Sequence, residues 1–267
     1  MAQSKGGVVA GSVAYTVDHG SVCASGHLLD DADVKAIADD VQSILRDDTG
    51  VQEARDALAD LATTDFASDR LQALLAAPSS FDEWRVGEAL AERHLTEEVG
   101  CMFPWPDSRS TRNPNSSSGG VDLIGIHAGD RVRFVLAEVK TSHQQAWPPS
   151  LLTSRTHGLH TQLSGLNAGD ARSRWAIRYL ALNSVGKPWH ADFRKAMVTY
   201  LANGLDVVLY GVLIHATEPN RADLRAQASS LSRTVVNPTT MQLIAIYLKA
   251  EHLSLLAAAP VVLETAA

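Results

Sequence analysis

The chain has 267 residues, of which 45% are apolar and 20% charged, and this predicts a globular protein with one main domain. Its net charge of −7 excludes the broad basic field with which a protein holds DNA tightly and nonspecifically on its own. Cys23 and Cys101 stand in no paired Cys/His spacing, and no segment has the apolar run of a signal peptide or a membrane span. We therefore expect a cytoplasmic protein with neither a zinc site nor a membrane partner.

The first 78 residues are predicted to form an N-terminal extension that is mainly helical. Behind a run of acidic residues, Val34, Ile37, Val41 and Leu45 recur at helical spacing. The following segment has the same helical pattern, which ends at Pro78. Residues 79–267 then form the main domain.

A helix is predicted between residues 79 and 100. Ser79 or Ser80 is expected to cap it, with Glu83 at capping-box spacing. Glu88 and Glu92 stand one turn apart and share a face, which by itself is compatible with an ordinary exposed acidic surface.

Two apolar, β-branched runs follow within GGVDLIGIHAGDRVRFVLAEVKTS, and they predict a β-hairpin in the covered interior of a sheet. The preceding segment, 102–120, is rich in Pro, Ser, Asn and Gly and is predicted to be a loop. A three-residue turn centred on Gly129 would pair Asp122 with Leu136 and place it diagonally from Glu138, on the same face. A two-residue turn would put Asp122 on the opposite face.

Glu138 and Lys140 interrupt the second run of this hairpin and point to one side of it. Charges on a covered strand are costly unless they are paired or bound to an ion, and two neighbouring carboxylates repel each other. A divalent cation removes both costs, and Mg²⁺ accepts one or two carboxylates, here Asp122 and Glu138, with the Val139 carbonyl and water. Lys140 would then face the same water. The alternative is a Glu138–Lys140 ion pair on an edge strand.

The rest of the chain predicts further helices and one central strand. LDVVLYGVLIHA is the strand, LHTQLSGLNAG and RADLRAQASSLSRTV are helical, and TMQLIAIYLKAEHLSLL fits either a strand or a helix. Two helices between residues 171 and 204 carry the most basic part of the chain, which is a candidate positive patch. Its members are Arg172, Arg174, Arg178, Arg194 and Lys195.

Asp122, followed by fifteen residues and then Glu-x-Lys on a hairpin, resembles the PD-(D/E)xK nuclease superfamily. The resemblance implies a restriction-endonuclease-like α/β core, with a mixed central sheet flanked by helices, behind the helical N-terminal lobe. In many members a Glu on a preceding helix completes the metal site. In this chain the corresponding stretch is GEALAE, which implies that role for Glu88, with Glu92 as the alternative. Gln162 corresponds to a polar residue near the scissile phosphate. The literal pair Pro106 and Asp107 lies in the loop and is not the motif.

A wider similarity covers the chain from about Phe81 to its end. WRVGEALAERHL, GVDLIGI, LAEVKTS and the TQL helix resemble the HamA family, the nuclease subunits of the Hachiman antiphage defence system. This implies a metal-dependent DNase that works with HamB, a superfamily-two helicase, and is restrained by it until DNA damage or phage DNA processing releases it. The acidic net charge suits a nuclease that reaches DNA through a partner.

The activity expected from these similarities is hydrolysis of DNA phosphodiester bonds. Asp122, Glu138 and Glu88 are expected to hold Mg²⁺ or Mn²⁺, and Lys140 to position the attacking water. Two alternatives stay open. One is a noncatalytic subunit that keeps the nuclease fold for assembly with a helicase, and the other is a restriction endonuclease with its own sequence specificity.

Overall fold

A computed structural model describes residues 11–104 and 120–258. Their strands are β1 Ser12–Asp18, β2 Val22–Leu28, β3 Cys101–Met102, β4 Leu123–Ala128, β5 Val132–Ser142, β6 Val207–His215 and β7 Thr240–Tyr247. Their helices are α1 Asp31–Arg46, α2 Asp48–Leu58, α3 Asp65–Leu74, α4 Glu83–Glu97, α5 Ser150–Thr153, α6 Leu159–Asn167, α7 Ala171–Ser184, α8 His190–Ala202, α9 Ala222–Leu231 and α10 Ala250–Ala257. Within these two ranges, every helix is too short or too polar to cross a membrane.

The strands form one mixed sheet in the order β1-β2-β7-β6-β5-β4-β3. The four middle strands, β2, β7, β6 and β5, run parallel, whereas β1 at one end and β4 and β3 at the other pair antiparallel to their neighbours. β5 therefore lies between β4 and β6 and is an interior strand.

Helices cover both faces of the sheet. Side chains of β5 alternate between two apolar cores, with Val135 and Val139 in one and Phe134 and Leu136 in the other. The first core is closed by α1, α4 and α10, and the second by α6, α7, α8 and α9. The expected α/β fold, with a mixed central sheet flanked by helices, is confirmed.

The N-terminal segment differs from expectation because its first part belongs to the sheet. Helices α1, α2 and α3 occupy residues 31–74 as predicted, but β2 pairs in parallel with β7 along its whole length, from Val22 opposite Met241 to Leu28 opposite Tyr247. Residues 12–28 are therefore strands of the central sheet and not part of a helical lobe. Helices α2 and α3 contain no buried residue.

Two local predictions are corrected, and a third that was left open is resolved. The hairpin turn comprises residues 129–131, so that Ala128 pairs with Val132 and the register is displaced by two residues from the predicted one. The N-cap position of α4 is occupied by Asp82, whose side chain makes no capping hydrogen bond. The ambiguous C-terminal segment contains both a strand and a helix, β7 and α10. The pair Pro106 and Asp107 lies outside the described residues.

Candidate functional site

The hairpin register brings Asp122 and Glu138 side by side. Because Leu123 pairs with Ala137, the residue just before β4 lies level with Glu138, one step closer than the predicted diagonal position. Asp122 is also held in place from the strand itself, since its Oδ2 accepts a hydrogen bond of 2.7 Å from the Val139 backbone N–H. The predicted proximity of the two carboxyl groups is confirmed.

Glu138 is completely buried, on the face of β5 that also presents Phe134 and Leu136. Burial raises the pKa of Glu138 to about 8, and the neighbouring charge of Asp122 acts in the same direction, while the charges of Lys140 and Arg172 oppose the increase. A carboxyl group with a pKa this far above its ordinary range is unfavourable for folding in its charged form. Such groups cluster at functional sites.

Arg172, in the first turn of α7, is the closest ionic partner of Glu138. Its Nη1 lies 2.9 Å from Glu138 Oε1, its Nε 2.9 Å from Asp170 Oδ2, and its Nη2 2.6 Å from the Gln162 carbonyl oxygen. Asp170 is at the same time the N-cap of α7, accepting hydrogen bonds from the backbone N–H groups of Arg172 and Ser173. The guanidinium group is therefore fixed by three elements before any ligand arrives.

Lys140 pairs with Asp122 rather than with Glu138. Its Nζ lies 3.8 Å from Asp122 Oδ2, and both side chains are partly accessible, at 19% and 15% of their surface. β5 is an interior strand, and Lys140 pairs with Asp122 whereas Glu138 pairs with Arg172. The alternative of an isolated Glu138–Lys140 ion pair on an edge strand therefore does not describe this cluster. The site thus places two carboxyl groups next to two cationic side chains. Glu138 is its buried end, and Asp122 and Lys140 form its solvent-accessible rim.

One oxygen of the cluster lacks a donor within the part of the chain that the structure describes. Among the described residues, Glu138 Oε2 is buried without a hydrogen-bond partner, and Glu138 can bond to Asp122 only when one of the two carries a proton. Two adjacent carboxyl groups with an unsatisfied buried oxygen are the donor set that Mg²⁺ takes from proteins, with water and phosphate completing its six ligands. Asp122 and Glu138 therefore fit a hard divalent cation.

The structure does not bring Glu88 or Glu92 into a common group with these carboxylates. Within ranges 11–104 and 120–258, no three His, Cys, Asp or Glu side chains form a metal-binding group. Helix α4 packs on the face of the sheet opposite to Glu138 and approaches β5 where Gly87 contacts Thr141. Both glutamates are partly buried and have other interactions.

Gln162 lies beside the site, in agreement with its predicted place on a short helix, α6. Its backbone carbonyl accepts the bond from Arg172, and its side-chain Oε1 is buried without a partner among the described residues. Gly165 on the same helix makes this packing possible, because a methyl group there would lie 2.6 Å from Asp170 Oδ2 and 2.7 Å from Arg172 Nη2.

Sequence reasoning included Arg172 in a basic cluster but missed its contact with Glu138, and it missed Asp170 altogether. Two signals were present: a buried Glu requires a cationic partner, and an Asp-x-Arg pair that begins a helix places its arginine in the first turn.

No protein-family model and no curated protein matches this chain. The cluster of Asp122, Glu138, Lys140 and Arg172 is the feature of this chain that indicates a function.

Proposed function

We propose that the protein is a metal-dependent deoxyribonuclease with a restriction-endonuclease-like core that hydrolyses DNA phosphodiester bonds with little sequence specificity. The observation that carries the proposal is the buried, high-pKa Glu138 beside Asp122, at the rim where Lys140 begins to be accessible. Support for the core comes from helix α4, the antiparallel β4–β5 hairpin, and β6 parallel to β5.

In this function, Asp122 and Glu138 would hold Mg²⁺ or Mn²⁺. A divalent cation in that position supplies Lewis-acid stabilisation of the negative charge on the reacting phosphate. Glu88 is left out of the proposed metal site, because α4 packs on the face of the sheet opposite to Glu138.

Lys140 and Arg172 supply the positive charges that the protein itself contributes. Lys140 Nζ is a mobile donor at the accessible rim, suited to hold the attacking water or a non-bridging phosphate oxygen. Among the described residues, Arg172 uses three of its five N–H groups in the bonds described above, which leaves two for a phosphate oxygen. Its fixed position means that phosphate binding requires little reorganisation.

The biological role that we propose follows from the similarity to the HamA family. It is a cytoplasmic effector of antiphage defence that degrades DNA when its helicase partner, HamB, releases it. The net charge of −7 supports dependence on a partner for reaching DNA. If HamB restrains the nuclease, the copurified complex should cut intact plasmid slowly, and rapid digestion by the undisturbed complex would contradict the restraint.

The test of the activity is digestion of linear and circular DNA by the purified chain, in Mg²⁺ and in EDTA. We expect a smear that requires Mg²⁺, whereas a sequence-specific restriction endonuclease would give discrete fragments. Lys140→Ala should slow cleavage by about 10²- to 10³-fold, the usual effect of removing one charge-stabilising donor. Glu218→Gln is a matched control at an exposed position, and circular dichroism confirms folding. Cleavage at the wild-type rate by Lys140→Ala or Asp122→Asn would refute the assignment.

A second candidate function is a noncatalytic subunit for assembly with a helicase. The ion pair between Arg172 and Glu138 favours it, because this pair already compensates part of the buried charge without a cation. This alternative predicts no Mg²⁺-dependent cleavage and no increase in thermal stability on adding Mg²⁺.

A further inference from the structure

The outer face of α7 combines positive charge with an exposed aromatic ring. The helix carries Arg172, Arg174 and Arg178 and no acidic residue in its 14 positions. Arg174, Trp175 and Arg178 are exposed, whereas the opposite side of the helix is buried in the core. The charged residues that this helix presents to solvent are therefore all basic, beside the exposed apolar residues Ala171 and Leu182, in a chain that is acidic as a whole.

Trp175 is the unusual member of this face, because 59% of its surface is accessible. The Arg178 guanidinium carbon lies 5.1 Å from the centre of its ring, in a cation–π arrangement. A large apolar ring kept in solvent, with a guanidinium group beside it, is the arrangement on which unpaired nucleic-acid bases stack.

The N-terminal end of this helix belongs to the proposed active site. Arg172, which bonds to Glu138, belongs to the same helix, and Arg174 and Arg178 follow it by two and six residues. At a rise of 1.5 Å per residue, these two arginines stand about 3 and 9 Å further along the helix axis. Positive charge thus extends from the buried carboxylate outward along one helix.

We propose that the outer face of α7 is a binding track for single-stranded DNA, with a base stacked on Trp175 and phosphates contacted by Arg174 and Arg178. The inference rests on the proposed nuclease function, for which it names the substrate as an unpaired strand. A duplex keeps its base faces stacked inside, so that an exposed indole gains nothing from it, whereas every unpaired base offers a face for stacking.

Fluorescence anisotropy of a labelled oligothymidine with the full chain in EDTA tests this inference without any cleavage. Stacking contributes about 1–3 kcal/mol per base, so Trp175→Ala should weaken binding by about 5- to 150-fold. Trp175→Phe keeps an aromatic face and should retain most of the affinity. The matched control is Trp84→Ala, since Trp84 is 39% exposed and has Arg85 5.9 Å from its ring centre, on a different helix.

The arginines are tested through salt dependence. Arg178→Gln should reduce the slope of log affinity against log salt by about 0.7, the value for one phosphate contact with a single strand. Unchanged binding of the oligothymidine by Trp175→Ala, or a loss no larger than that of Trp84→Ala, would overturn the inference. An equal loss with a duplex of the same length would also overturn it, because the surface would then not select unpaired bases.

The nuclease assay and this binding assay can fail separately. Binding that depends on Trp175, without cleavage in Mg²⁺, would retain the track and remove the proposed activity. Cleavage in Mg²⁺, together with full binding by Trp175→Ala, would retain the proposed activity and remove the binding track. Because Trp175 is mostly exposed, its replacement should leave the thermal unfolding midpoint near that of the wild type.

Discussion

Glu138→Gln is expected to make the protein more stable at neutral and alkaline pH while abolishing its proposed activity. The substitution keeps the size of the side chain and an acceptor oxygen for Arg172, but it removes the charge that burial and Asp122 disfavour. A residue whose removal stabilises the fold is typical of a site retained for function at the expense of stability.

The magnitude follows from the pKa of Glu138, which is about 8 in the folded protein against an ordinary value of 4.5. The folded state keeps a proton that the unfolded chain releases, so the contribution to stability is complete below pH 4.5 and is lost as the pH rises to about 8. At about 1.4 kcal/mol per pH unit, the interval of 3.5 between these values corresponds to a loss of up to about 5 kcal/mol. Glu138→Gln should recover a few kcal/mol of this at pH 8 and nothing at pH 4.5.

Urea denaturation in EDTA at several pH values measures this difference, with Glu218→Gln as the exposed control. In Mg²⁺, the wild type should gain stability that the Glu138→Gln variant does not gain, since bound cation offsets the buried charge. A Glu138→Gln variant that is equally or less stable than the wild type at pH 8 in EDTA would refute the reasoning.

Two further predictions concern the core on the opposite face. Burial, reinforced by the charges of His27 and Arg93, lowers the pKa of His94 to about 4 from 6.5, so stability should fall by about 3 kcal/mol as the pH decreases through this interval. Denaturation of His94→Gln should show a flatter pH dependence, and an unchanged profile would contradict the prediction. Gly87→Ala should cost about 1–3 kcal/mol, because the added methyl group collides with Thr141. Thermal unfolding of the Gly87→Ala, Thr141→Ala pair should show partial recovery, which a cost due only to the helix backbone would not give.

The order of residues in β5 was enough to predict the central part of the site. Period-two alternation places Glu138 and Lys140 on one side whatever the neighbouring strand does, and an odd turn places Asp122 on that same side. The error of two residues in the register left the faces unchanged, which is why the two carboxyl groups were still expected together. The sequence therefore predicted that the carboxyl groups of Asp122 and Glu138 act together, but it did not predict the distance between them.

Contacts between distant segments were not predictable in the same way. Arg172 reaches Glu138 across 34 residues, and only the packing of α6 and α7 decides which of several arginines arrives there. Strand β2 was missed because Ser25, Gly26 and His27 interrupt its apolar pattern, and β2 is stabilised by pairing with β7, more than 200 residues later. Neither signal is contained in a local stretch of sequence.

The position of β7 between β2 and β6 has a consequence for synthesis on the ribosome. Strands β1 to β6 are all made before β7, which lies between β2 and β6 in the sheet and ends at Tyr247. Until then, β2 and β6 each present an unpaired edge, which is a hazard for association between nascent chains. A chain that stops before residue 240 would release two half-sheets, even though both hairpin strands of the proposed active site are complete by residue 142.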